Sequence, residues 1–352
     1  MPSKPNIISW VNFTWGISDN KYQAPSGRYF RGYNVDTQRF DVQPSVLNEI
    51  VHTFPANIGC IFHNFIVWGS SNIVWLEDGR IYENNTSNLR ATIAWSGKFW
   101  RAIGYMKIGT QYKLYYFHEA IPSQTKYIHR SNISGTGFEE NYKTYVSDEG
   151  NPAYSFWKVV ISQWWRILFS DYNKLFQIDT LENIIELIEF PPNENIVGIS
   201  EFVGSYKIYT TTGLWDSKMY DWNWFDNLPA SKVDLKGIAI TSVIQDGDTD
   251  YAIADWHLYQ FQWVRFLKTH NNLWGRILTK IEDEVYLEFA QDGKQTLWVI
   301  EQNPWYPRSL TPKYSISHTS TTAEIWSGYK MTFDANTIYY ATGTQLRRIW
   351  WA

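Results

Sequence analysis

The chain has 352 residues, with 31 Lys and Arg against 35 Asp and Glu and a formal net charge of −4. These charges are interspersed, which excludes the basic tract of a nucleic-acid binder and the acidic tail of a solvating arm. A single cysteine excludes an internal disulfide framework, and 18% aromatic residues, 20 of them Trp, favour pleated half-buried surfaces over helices.

Residues 1–10 lack an apolar core followed by a small-residue cleavage site, so no secretory leader is expected. The run IISWVNFTW (7–15) reads as an extended strand and residues 16–27 as a polar loop. RYFRGYNVDTQRFDVQPS (28–45) reads as a hairpin turning near Thr37 and Gln38. SVLNEIVHTF (45–54) is the best short-helix candidate in the chain, with a strand as the near alternative.

From residue 56 one pattern recurs. In NIVWLEDGRIY (72–82) an alternating apolar run meets an Asp78-Gly79 pair and a second apolar run follows, the strongest short-range signal of a β-hairpin. Related hairpins read at 112–129, 166–178, 206–217, 250–261, 285–300 and 337–352. Their second strands carry anchors at Ile81, Tyr127, Leu175, Leu214, Leu258, Leu297 and Leu346, spaced by 39 to 49 residues. An all-β repeat of that length predicts a β-propeller. Seven blades are expected over 56–352, with six or eight as alternatives, because the 131–152 insertion and a partial blade within 1–53 both bear on the count.

Short strands rich in Ile, Gly and Ala precede the hairpins at 57–62, 101–106, 196–202 and 236–242. Small residues suit the innermost strand, where blades crowd together. Tryptophans such as Trp75, Trp164, Trp165 and Trp298 are expected to fill the wedges between blades. The last blade, beginning at 323–333 and ending at Ala352, has only three strands of its own. Segment 1–55 is therefore expected to lend it an outer strand, from 7–15 or 28–42, since an open apolar edge invites aggregation.

Chemical motifs are sparse. Neither a phosphate loop, an HExxH helix, a zinc-type cysteine pair nor a Gly-x-Ser-x-Gly elbow occurs, and the seven histidines are dispersed. Catalytic residues, cofactors and metal ligands are thus all expected to be none. Asp246, Asp248 and Asp250 form a partial calcium-loop pattern without its glycine and distal glutamate, and read as a solvated hairpin turn. Cys60 reads as a small buried hydrophobe. No apolar run is long enough for a membrane span. Two aromatic loops stand out as partner contacts: 218–232, with Trp222 and Trp224, and 301–312, where prolines stiffen the chain around Trp305 and Tyr306.

Residues 10–46 carry Trp15-Gly16-Ile17, then Tyr29-Phe30, then Asn34-Val35-Asp36. This order resembles the opening of phage virion proteins that fold as β-propellers in the tail. The resemblance covers about a tenth of the chain. It implies a non-enzymatic nozzle, hub or connector subunit, located in the virion after assembly in the host cytoplasm. Its implied partners are copies of itself in a ring and other virion proteins, without specific nucleic acid. Two other readings stand beside it: a glycan-binding or glycan-cleaving propeller, in which the aromatic excess stacks on sugars, and a cellular scaffold propeller. Apolar patches on blade sides would favour assembly; aromatics and carboxylates converging at one mouth would favour glycan.

Overall fold

The computed structural model describes residues 46–351 except 65–70, 84–87, 95–100, 119–124, 134–135, 147–159, 164, 203–204, 213–215, 224–230, 248, 256, 263–264, 271–274, 282–283, 292–293, 302–308, 317–330 and 335–336. All regular elements among them are strands. Strand β1 is Val46–Thr53. Blade 1 follows as β2 (Ile58–Asn64), β3 (Ser71–Leu76), β4 (Arg80–Glu83) and β5 (Asn88–Thr92). Blade 2 comprises β6 (Arg101–Ile108), β7 (Gln111–His118), β8 (Thr125–Asn132) and β9 (Glu139–Val146). Blade 3 comprises β10 (Val160–Gln163), β11 (Arg166–Asp171), β12 (Lys174–Ile178) and β13 (Ile184–Glu189).

Blade 4 is β14 (Glu194–Phe202), β15 (Ser205–Thr212), β16 (Ser217–Trp222) and β17 (Ser231–Leu235). Blade 5 is β18 (Ile240–Asp246), β19 (Thr249–Ala254), β20 (His257–Gln262) and β21 (Arg265–His270). Blade 6 is β22 (Gly275–Ile281), β23 (Glu284–Gln291), β24 (Lys294–Glu301) and β25 (Ser309–Ile316). The chain closes with β26 (Met331–Asp334), β27 (Thr337–Thr342) and β28 (Gln345–Trp351).

These strands form seven four-stranded antiparallel sheets, six in chain order and the seventh ordered β1-β28-β27-β26. Blade 7 is therefore completed by the beginning of the described chain, as ring closure requires. The lending segment is Val46–Thr53, which corrects the expected 7–15 or 28–42; those residues lie outside the described ones. It is also a strand where a short helix was the first expectation. Val46, Ile50, Val51 and Thr53 are β-branched, and the edge of β28 offers a ladder that a helix would leave unpaired.

A bulge marks the unit. Opposite the start of each third strand, the outermost strand carries one extra residue: Arg90, Leu187, Lys232, Thr269 and Lys313 in blades 1 and 3 to 6, with a wider irregularity in blade 2. In blade 7 the extra residue is Val51 of β1, so the borrowed strand takes the same form as the resident ones. Such bulges twist an exposed edge away from edge-to-edge pairing. The anchors Ile81, Leu175, Leu258, Leu297 and Leu346 all sit at this bulge. Tyr127 falls one residue before it, and Leu214 lies outside the described residues.

The core lies between blades rather than within them. Trp75 and Ile73 of blade 1 pack with Leu114 and Tyr116 of blade 2, and Phe117 of blade 2 with Phe169 of blade 3. Leu168 and Leu175 of blade 3 pack with Tyr206 and Trp222 of blade 4. Tyr209 of blade 4 meets Phe261 of blade 5, and Leu346 of blade 7 meets Val74 of blade 1. Inner strands crowd as expected: a Cβ on Gly198 would lie 2.6 Å from Val243 of the next blade, and one on Gly104 3.2 Å from Val160 and Ser162. The fourth small-residue segment begins its strand at Ile240, later than the predicted 236. Cys60 is buried, as expected.

Candidate functional site

The first and second strands of blades 1 to 5 bring polar and aromatic groups into one chain of contacts near their shared turns. In blade 3, Gln163 pairs with Arg166 across the turn, and Trp165 stands between them, 39% exposed. The Arg166 guanidinium lies 3.7 Å over the Trp165 ring, a cation–π stack covering one face. Arg166 is itself buried, its Nε donating to Gln163 Oε1 and its Nη2 to the Tyr206 hydroxyl at 2.6 Å. Burial draws its pKa below the usual arginine value, while Tyr206 opposes that drift.

Gln163 Nε2 reaches into blade 4, donating to Glu201 Oε2 and to the Tyr206 hydroxyl, both at 2.9 Å. The Tyr206 hydroxyl donates in turn to Glu201 Oε1 at 3.3 Å. Blade 5 joins through Gln245, whose Oε1 accepts from the Glu201 backbone N–H at 2.9 Å and whose Nε2 donates to the Glu201 carbonyl. On the other side, Tyr105 N–H of blade 2 donates to Ser162 Oγ at 2.9 Å. The Tyr105 ring continues the arc to Tyr112 at 6.5 Å and to Phe62 of blade 1 at 6.0 Å.

Deeper carboxylates bind blades together. Asp250 of blade 5 accepts from Ser200 Oγ (2.9 Å), Tyr209 OH (2.5 Å) and Lys207 Nζ (3.3 Å), all of blade 4. The expected hairpin turn lies between β18 and β19, but Asp250 is buried in the core instead of solvated; Asp248 lies outside the described residues. Among the described residues no group of three His, Cys, Asp or Glu is placed to hold a metal ion. Glu194 accepts from Thr210 and Tyr220 and pairs with Lys218 within blade 4. Burial and the adjacent carboxylates push the Tyr209 and Tyr220 hydroxyls well above the ordinary tyrosine range, so both stay protonated as donors.

Glu182, in the turn before β13 of blade 3, reaches across to blade 2. It accepts from Arg130 Nη1, from the Tyr115 hydroxyl at 2.5 Å and from the Tyr142 hydroxyl at 3.1 Å. Burial works to raise its pKa, but the Arg130 and tyrosine bonds outweigh it and hold the carboxyl below its usual range. Its backbone has φ 61°, a left-handed conformation unfavourable for Glu. Asp179 Oδ1 fixes that turn by accepting from Leu181 N–H at 2.9 Å and Asn183 N–H at 2.8 Å.

The fold also gathers histidines that are scattered in sequence. His118 on β7 and His129 on β8 lie with ring centroids 5.8 Å apart, edge-on to Trp75 of blade 1. His129 Nδ1 accepts from Asn141 N–H at 3.0 Å, and burial pushes its pKa down to about 4, leaving it neutral.

Of the four sequence-predicted partner residues, only Trp222 is described. It is 2% exposed and packs at 6.1 Å on Tyr206 between blades 3 and 4. The structure thus corrects its reading as a surface contact: its loop begins only after the strand, whose inward face it occupies. Trp224, Trp305 and Tyr306 lie outside the described residues, as does Trp164. Trp165, read as wedge filling, is instead exposed; no sequence signal separates it from Trp75, whose side chain is buried.

No family model matches this chain, and no curated protein matches it. Solved structures do. A catalytically inactive virginiamycin B lyase from Staphylococcus aureus, solved with quinupristin, is similar with TM-score 0.57 and 10% identity, over 87% of this chain and 99% of that one. A chain of the Mitotic Checkpoint Complex is similar with TM-score 0.56 and 10% identity, over 87% and 94%. BBS1N, solved in complex with ARL6DN, is similar with TM-score 0.53 and 9% identity, over 87% and 95%. At such identity the likeness is one of fold. With its seven four-stranded sheets closed by β1, this chain is a β-propeller.

Proposed function

We propose that this chain is a non-enzymatic structural subunit of a phage virion tail, arranged with copies of itself in a ring and acting through protein–protein contacts. The observation that carries the reading is on the blade sides. Ile50 of β1, Leu89 of β5, Ile185 of β13 and Leu267 of β21 are 50%, 49%, 38% and 47% exposed, all on outermost strands. Leu181, in the turn leading into β13, is 80% exposed. Outermost strands present unpaired backbone groups, and apolar side chains on them favour docking against another chain. They belong to adjacent blades 7 and 1 and to blades 3 and 5 farther round the propeller. A ring subunit needs two such regions, one for each neighbour. The order Trp15-Gly16-Ile17, Tyr29-Phe30, Asn34-Val35-Asp36 supports the tail assignment by resemblance.

The test is assembly. Light scattering and electron microscopy of purified protein should find rings, and labelled antibody should find the chain in tail particles. Leu267→Asp should yield folded monomers. A wild-type chain that stays monomeric at high concentration and is absent from particles would refute the proposal.

A further inference from the structure

We infer that Trp165 and Arg166 of blade 3, with Glu201 and Tyr206 of blade 4, form a binding platform for a neutral oligosaccharide, with Trp165 as the stacking surface and Glu201 as the hydroxyl acceptor. The inference does not depend on the assembly reading, because it concerns the inner turns and not the blade sides.

Trp165 is set apart by its support. One ring face is occupied by the Arg166 guanidinium at 3.7 Å, and that guanidinium is held by Gln163 and Tyr206. The indole is thereby fixed in orientation while 39% of the residue remains exposed. A pre-positioned ring avoids most of the ordering cost of binding. Pyranose rings present C–H faces that lie flat against an indole, and their edges carry hydroxyl groups that both donate and accept.

The polar surroundings match those edges. Glu201 is exposed, and among the described residues its carboxylate accepts from the Gln163 amide and the Tyr206 hydroxyl. A carboxylate has about four lone-pair directions, so acceptor capacity remains for sugar hydroxyls. Gln163 bonds both Glu201 and Arg166, whose guanidinium stacks on the indole, so the carboxylate and the ring belong to one continuous set of contacts. A protein hot spot would instead have a shell of apolar neighbours around its aromatic anchor. Among the described residues the Trp165 ring is stacked by the Arg166 guanidinium, which Gln163 and Tyr206 link to Glu201, and the exposed Ile50, Leu89, Ile185 and Leu267 lie on outermost strands. A net-neutral sugar is favoured over an acidic one because the exposed acceptor is a carboxylate and the neighbouring guanidinium is already buried and bonded.

The experiment titrates the full chain by calorimetry with gluco-, manno- and galacto-oligosaccharides of two to six units. Binding of at least one series is expected. Trp165→Ala should weaken it roughly tenfold or more, Trp165→Phe less, and Glu201→Gln measurably. Leu267→Asp should leave the affinity unchanged while disrupting assembly, which separates this inference from the assembly proposal. Thermal melts check that each variant is folded. No binding by wild type at millimolar sugar overturns the inference. So does an affinity unmoved by Trp165→Ala, or a Trp165→Ala chain that loses assembly and keeps its sugar.

Discussion

Val46 stands opposite Trp351 in the register of β1 against β28, so the two ends of the described chain are paired neighbours in one sheet. Nearby, Glu49 and Arg348 form an ion pair across 299 residues of sequence. Closure of the propeller thus rests on the strand pairing most distant in sequence among the described residues, which has a large chain entropy to overcome. Removing residues 46–53 in addition to 1–45 is expected to abolish the single cooperative transition seen in urea or heat. A truncated chain that melts like the full one would show that β28 needs no partner.

Glu182 and Arg130 give a second test, at the interface of blades 2 and 3. Glu182→Gln keeps the shape and removes the charge, and should cost about 1–3 kcal/mol, since both side chains are mostly withdrawn from water. The Glu182 pKa is lowered in the folded chain. Its contribution is therefore complete above the unfolded value near 4.3 and is lost as pH falls through the lower folded value. Urea melts across acidic pH should show a smaller fall for the variant than for wild type.

His129 acts in a different pH window. Its folded pKa is about 4 against an ordinary 6.5, so the unfolded chain takes up a proton first. Stability should decline as pH drops from about 6.5 toward 4, by up to about 3 kcal/mol. His129→Gln should flatten that slope, whatever it does to stability at neutral pH. An unchanged slope would mean the imidazole is not held neutral by burial.

Gly198 tests the crowding of inner strands. Gly198→Ala places a methyl 2.6 Å from Val243 and should destabilise by about 1–3 kcal/mol. Adding Val243→Ala should recover part of the loss, and the double-mutant cycle measured by denaturation reads the coupling.

Trp222 and Trp165 should behave in opposite ways. Trp222→Ala removes a buried side chain between blades and should cost about 3–5 kcal/mol. Trp165→Ala, at an exposed turn, should change the melting temperature little. Equal losses for both would place the two residues in the same packing role.

The hairpin unit was readable because its signals are local. Asp78-Gly79 makes its turn with Gly79 at φ 91°, and period-two apolar runs declare strands whatever surrounds them. The recurring anchors declared the repeat, and with it the propeller and seven blades. Which strand closes the ring was not readable. Segments 7–15, 28–42 and 46–53 all offer plausible strand chemistry, and only the open edge of β28 selects the last. The site was hidden for the same reason. Gln163, Glu201 and Gln245 are separated by about one repeat each, and they meet because successive blades set the ends of their first strands side by side. His118 and His129 meet through strand pairing, and Asp250 turns inward because blade 4 offers Ser200, Lys207 and Tyr209. Local sequence determined the strands, turns and period. The fate of each Trp and carboxylate, buried or presented, was decided by the neighbouring blade, because burial is a property of packed surfaces and not of a residue's own neighbours in the chain.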